Sequence, residues 1–239
     1  MTGEHSSKQY DNDLEAIRSK VLLMGGIVEN QFLDAMTCFR IGNAERADRV
    51  MREDDTVNQL EVSLDEACSQ LIVRRQPAAN DLRTVMATIK VITDLERIGD
   101  EASKIARTAK GLHGRGTAVV NHYEMVRNIA NNASDMLHDA LDAFARNDGA
   151  QALKLIAQDV VIDHEFRTIM RNLITFMMED PRTISAALDT LWVAKSIERI
   201  GDHAKNIAEY VIYVVEGKDI RHARPASTGS DADADALPE

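Results

Sequence analysis

The chain holds 239 residues, 44% of them apolar and 4% aromatic, enough for one large domain or two smaller ones, which excludes disorder of the whole. Lys and Arg number 28 against 39 Asp and Glu, and the resulting net charge of −11 argues against a nucleic-acid partner. Two cysteines make no disulfide framework, residues 1–12 carry no apolar h-region and no run of about 18 apolar residues occurs, so the chain reads as cytoplasmic, neither exported nor membrane-spanning.

Apolar residues recur with a 3.6-residue period over long stretches between sparse Gly and Pro, which predicts an all-α protein. In chain order the predicted helices cover residues 14–41, 44–75, 79–112, 119–145, 149–178 and 181–217. At 1.5 Å per residue each is roughly 40 to 55 Å long. The turns at Gly42 and Asn43, Gln76 and Pro77, and Glu179 and Asp180 are short, so sequence neighbours should run antiparallel. The glycine-rich run 111–116 is the largest break in the middle of the chain.

That break separates two similar halves. Aligning Phe39 with Phe144 also takes Asn43 to Asp148, Ala47 to Ala152, Val50 to Leu155, Asp54 to Asp159 and Asn58 to Asp163. Further on, Glu96-Arg97-Ile98-Gly99-Asp100 falls on Glu198-Arg199-Ile200-Gly201-Asp202. The repeat unit is three helices. The expected architecture is therefore two tandem, similar three-helix bundles, residues 10–114 and 117–218, followed by a disordered acidic tail over 219–239.

Stepping by three and four residues traces the face that each helix turns inward. On the second helix it reads Val50, Asp54, Val57, Glu61, Leu64, Cys68 and Leu71, and on the fifth Leu155, Asp159, Ile162, Phe166, Ile169, Leu173 and Phe176. The third reads Leu82, Val85, Ile89, Ile92, Glu96 and Gly99, and the sixth Ile184, Ala187, Leu191, Ala194, Glu198 and Gly201. Acids thus interrupt apolar faces at matching places. Residues equally far from an antiparallel turn lie level, and Asp54 and Asp100 are each 23 residues from Pro77, Asn58 and Glu96 each 19. About Glu179, Asp159 and Asp163 stand 20 and 16 residues before, Glu198 and Asp202 19 and 23 after.

Each bundle is thereby expected to gather four oxygen-bearing side chains in one layer. Burying unpaired carboxylates costs several kcal/mol each, so a cation should offset them. Oxygen-only sets suit hard ions such as Mg²⁺, Mn²⁺ or Ca²⁺, and carboxylate clusters also accept iron or zinc. The alternative is that these acids face water or pair with Arg97, Arg199 and Lys195; the two arginines sit about 100° round the helix from the glutamates.

At these residues the sequence resembles the PhoU family. The runs Asp94-Leu95-Glu96-Arg97-Ile98-Gly99-Asp100 and Ser196-Ile197-Glu198-Arg199-Ile200-Gly201-Asp202-His203-Ala204-Lys205-Asn206-Ile207-Ala208 are similar to its paired signature, and Asn80-Asp81-Leu82-Arg83 also follows its pattern. The likeness covers about 10–217; one such motif would be weak, whereas two in a duplicated helical chain are specific. It implies two three-helix bundles whose E(D)-x-x-x-D motifs bind divalent or trivalent metal ions (Mg, Mn, Fe or Zn). The implied ligands are Glu96, Asp100, Glu198 and Asp202, faced by Asp54, Asp159 and Asp163. Asn58 departs from the pattern where the second bundle has Asp163, so the first site is expected to bind metal more weakly. The likeness further implies a negative regulator of the phosphate-starvation response, not an enzyme. It would couple the ATPase subunit of a phosphate ABC transporter to a membrane sensor histidine kinase, peripheral to the inner membrane through those partners, as a homodimer.

Two rivals come from other classes. A ferritin-like di-metal oxidoreductase needs Glu-x-x-His on two helices, and none of the seven histidines has a glutamate three residues before it. A metal-free helical scaffold would keep the fold and lose only the ion. No G-x-S-x-G and no nucleotide-binding G-x-x-x-x-G-K-[ST] is present. Trp192 is read as core or interface filling, and His164 and His203 as surface residues beside the proposed ligands, the alternative being that they support those ligands by hydrogen bonds. Ile197, Ile200, Ile207, Val211 and Val214 form a stripe expected to pack on the fourth helix.

Overall fold

The computed structural model describes residues 3–115 and 120–220. Six α-helices follow in order: α1 (Gly3–Ile41), α2 (Ala44–Arg75), α3 (Ala79–Gly114), α4 (Val120–Arg146), α5 (Gly149–Glu179) and α6 (Ile184–Glu216), with a short 3-10 turn Pro181–Thr183 before the last. The expected all-α, twice-repeated architecture is the observed one. Residues 221–239, most of the expected tail, and 116–119 at the central break lie outside the described residues.

The turns show why the two halves fold alike. Gly42 takes φ +72° and Asn147 takes φ 52°, each placing one left-handed residue after a helix. The next residue caps the following helix: Asn43 accepts from the Arg46 N–H at 2.8 Å, and Asp148 from the Gln151 N–H at 3.0 Å. Gln76, at φ 47°, ends α2 immediately before Pro77. Where the sixth helix was expected to start at residue 181, the Asp180 side chain instead accepts the Arg182 N–H at 3.0 Å and holds a 3-10 turn, so α6 begins three residues later. The first helix starts earlier than its apolar pattern, because tertiary contacts pin its polar first turns: Tyr10 Oη donates to the Asp81 carbonyl at 3.1 Å, and Arg75 donates to Asp13 and Gln9.

Within the bundles the burial repeats as the alignment does. Ala47, Val50, Val57, Leu64 and Cys68 are buried on α2, and Ala152, Leu155, Ile162, Ile169 and Leu173 in the same places on α5. The predicted inward faces fail at their ends, where Leu82, Phe176 and Ile184 are exposed. Trp192 is also exposed, at 67%, which removes the core half of its reading and leaves the interface half. Ile197, Ile200, Ile207 and Val211 are buried, Val214 partly.

α3 and α6 pack against each other as well as inside their own bundles, and α1 packs on α4, whereas α2 and α5 touch only their own bundle. The bundles therefore join through α3 and α6 and, less extensively, through α1 and α4, with α2 and α5 outermost. The α3/α6 junction is polar in part. Asp94 is buried there with its Oδ1 2.6 Å from His203 Nδ1 and 3.2 Å from the donating Asn206 Nδ2. Glu101, also buried, pairs with Lys104 at 3.0 Å and, across the junction, with Arg199 at 3.2 Å. His203 is thus a buried contact between bundles, not a surface residue, because its neighbour helix supplies a carboxylate that the local sequence does not announce; His164 is exposed. On the other seam, Arg18 donates to the Phe144 and Ala145 carbonyls, each at 3.0 Å, satisfying the end of α4.

Candidate functional site

In the first bundle the long inward faces of α2 and α3 carry the expected oxygens together. Burial pushes the Asp54 carboxyl above its usual range, and Asp100 and Asp55 push it further against the opposing pull of Arg107 and Lys104. Glu96 is raised by burial and then by Asp100, Glu61 and Asp54, with Arg97 partly opposing. Arg97, although a quarter-turn away from Glu96, is thus near enough to relieve some of the charge. The outer oxygens of this layer find little compensation: Lys104 stands 4.0 Å from Asp100 and closer to Glu101. Asp54 Oδ1 and Asn58 Oδ1 are buried and accept no hydrogen bond from the protein.

Two further acids extend the layer along α2. Glu61 is raised by burial and by Asp65 and Asp100, with Arg97 opposing, and Asp65 is raised by burial. Asp54, Asn58, Glu61 and Asp65 are spaced by four, three and four residues, so the signal for the added pair lay in the same periodicity. The third contributor had no such signal: Gln31 of α1, fully buried, donates through Nε2 to the Val50 carbonyl at 3.3 Å while its Oε1 has no partner.

The second bundle places the matching carboxylates but neutralises them. Lys205 Nζ reaches Asp159 Oδ2 at 2.6 Å, Lys195 Nζ reaches Glu198 Oε2 at 2.6 Å, and Arg167 stands 3.5 Å from Asp163. Asp202 is left over. Burial, reinforced by Glu198, Asp159 and Asp163 against the pull of Lys195, pushes its carboxyl up to about 6. The lysine pairing weighed as an alternative is thus realised in this half. The layer with one fewer charge in its four-residue set is the less compensated of the two.

The donor chemistry fits a hard cation in the first bundle, where buried oxygens stand without hydrogen-bond donors. Among the described residues, no three His, Cys, Asp or Glu side chains converge on a single ready-made coordination shell. The residues that would hold an ion are Asp54, Asn58, Glu96 and Asp100 in one half and Asp159, Asp163, Glu198 and Asp202 in the other.

The raised carboxyls set a pH dependence for metal-free protein. Asp202 binds its proton near pH 6 when folded and near its ordinary 3.8 when unfolded, so the folded state holds more protons between those values. Its destabilising contribution is complete above pH 6 and fades as the pH falls towards 4. The melting temperature in EDTA is therefore expected to rise between pH 7.5 and 5.5, less steeply in Asp202→Asn, and a wild-type profile that falls over this range would contradict the assignment.

A model of the PhoU domain matches residues 21–109 and again 126–211, one match per bundle. The chain is 48% identical over 218 residues to a Pseudomonas putida protein named phosphate-specific transport system accessory protein PhoU homolog, covering 91% of this chain and 85% of that one. It is 45% identical over 222 residues to the Escherichia coli phosphate-specific transport system accessory protein PhoU, covering 92% and 90%. The crystal structure of PhoU from Pseudomonas aeruginosa superposes with a TM-score of 0.85 at 47% identity, covering 87% of this chain and all of that one.

Proposed function

The chain belongs to the PhoU family, and from that premise we propose that it is a regulatory accessory protein of phosphate transport, acting by contact and not by catalysis. The observation that carries the reading is that both PhoU-domain matches and both Glu-Arg-Ile-Gly-Asp runs fall on the two bundles, in a chain nearly half identical to relatives named accessory proteins of phosphate-specific transport. In the finer form of the proposal it represses the phosphate-starvation response, linking the ATPase subunit of a phosphate ABC transporter to a membrane sensor histidine kinase on the cytoplasmic side as a homodimer. None of the helices described is long and apolar enough to cross a membrane, which suits attachment through partners.

Metal ions at the carboxylate layers are the proposed means of contact. The ion would supply positive charge on a surface whose net charge is −11, letting it engage acidic or phosphorylated protein faces. Two measurements test the proposal. Deleting the gene is expected to leave phosphate-starvation promoters on in high phosphate, and restoring the chain to silence them; unchanged promoter activity would remove the regulatory role. Chelator-stripped protein is expected to lose affinity for the kinase's cytoplasmic region by at least about tenfold and to regain it with metal. Equal affinity with and without chelator would favour a metal-free scaffold, a reading that the lysine-paired acids of the second bundle support.

A further inference from the structure

The two bundles differ at one buried point beyond the lysine pairings. In the first, Gly99 leaves a notch on α3 where a Cβ would lie 3.2 Å from Gln31 Oε1, 3.4 Å from Val57 Cγ1 and 3.6 Å from Asp54 Oδ1. Both oxygens bordering the notch are buried and unpartnered, as is Asn58 Oδ1 one turn along α2. The amide of Gln31 is not free to turn away, because its Nε2 donates to the Val50 carbonyl and so directs Oε1 towards α3. In the second bundle the alignment that pairs Phe39 with Phe144 puts Met136 opposite Gln31 and Ile162 opposite Val57. There the notch of Gly201 is filled, since a Cβ would fall 2.8 Å from Ile162 Cδ1. A glutamine amide would be a poor choice for a fully buried α1 position unless its oxygen were used, because an unsatisfied buried acceptor costs about 1–3 kcal/mol.

We infer that Gln31 is an inner ligand for a hard divalent cation of the Mg²⁺ and Mn²⁺ class, held with Asp54 and Asn58 over the notch of Gly99, and that the second bundle has no inner ligand. The proposal rests on the metal reading above and adds a third helix, α1, to a site otherwise built from α2 and α3. Amide and carboxylate oxygens without nitrogen or sulfur select ions of this class. Two neutral amide oxygens also limit the negative charge that must be buried when no ion is bound. The first bundle is then the tighter site despite Asn58, because its ion is reached from inside the bundle and Lys104 acts on Asp54 only from a distance, whereas Lys205 is paired directly with Asp159.

The test uses full-length protein, stripped with EDTA and dialysed, then titrated with Mn²⁺ while free ion is read by electron paramagnetic resonance, with melting curves recorded in parallel. Gln31→Met, which installs the residue type of the second bundle, is expected to weaken the tightest class of Mn²⁺ sites by at least about tenfold and to abolish its share of the Mn²⁺-induced rise in melting temperature. Metal-free stability should stay level or rise, since a buried orphan acceptor is gone. Gln31→Glu should keep the site, and Glu198→Gln in the second bundle should leave it unchanged. Gly99→Ala gives a second route that does not touch Gln31: the added methyl crowds both oxygens while favouring the helix, so Mn²⁺ binding should fall without loss of folding. Wild-type affinity in both Gln31→Met and Gly99→Ala would overturn the inner ligand and leave the outer carboxylate site standing. Wild-type protein that binds no Mn²⁺ at all would overturn the metal reading itself.

Discussion

Lys205→Met is expected to lower the melting temperature of metal-free protein by about 4–12 °C, from a loss of about 2–3 kcal/mol in a chain of this size. The methionine keeps most of the lysine's apolar stem and removes only its charge. Asp159 is buried and holds Lys205 at 2.6 Å, with Glu198, Asp163 and Asp202 close by. Without the ammonium group Asp159 becomes an uncompensated buried carboxylate among like charges, and that accounts for the loss. The loss is smaller than for a fully buried pair because Lys205 remains 31% exposed. Adding Asp159→Asn should restore most of the stability. The same variant reports on function: with its built-in cation removed, the second bundle should gain more stability from Mg²⁺ or Mn²⁺ than wild type does. A loss in EDTA that neither ion reverses would show that lysine, not metal, is the natural counter-charge of this half.

Asp94→Ala is the second large effect, an expected loss of about 3 kcal/mol and about 6–12 °C in melting temperature. One carboxylate oxygen serves both His203 and Asn206 across the α3/α6 junction, so truncation strands a buried imidazole and a half-buried amide at once. The reciprocal truncation, His203→Ala, strands Asp94. A double-mutant cycle should give a coupling above about 1 kcal/mol, whereas effects that simply add would assign the loss to packing alone. Because α3 carries the first pair of motif acids and α6 the second, this contact also sets the placement of one candidate site relative to the other, on which the proposed kinase contact would depend. Kinase binding by Asp94→Ala should therefore weaken more than its residual folded fraction explains.

The helices and the duplication were legible because both are local or periodic properties. The 3.6-residue spacing marks one face of each helix, Asn43 and Asp148 cap through bonds to residues three positions away, and an equal count from Pro77 puts Asp54 level with Asp100. Glu61 is already on the inward face that this period marks, and Asp65 continues it by four residues. Gln31 carries no such mark: nothing near it in sequence distinguishes a core glutamine on α1 from a surface one. The same limit explains His203, expected at the surface but buried against Asp94 of the other bundle.

By itself the sequence determined six antiparallel rods in two matching sets, with acids at fixed heights along them. Only the tertiary structure decided which acids meet a lysine and which are left with buried oxygens unpaired. Lys205 finds Asp159 from 46 positions away, and His203 finds Asp94 from 109. Periodicity specifies the direction a side chain faces and its height on the helix. Charge compensation depends on what a neighbouring helix presents at that height, and that is settled only when the helices pack.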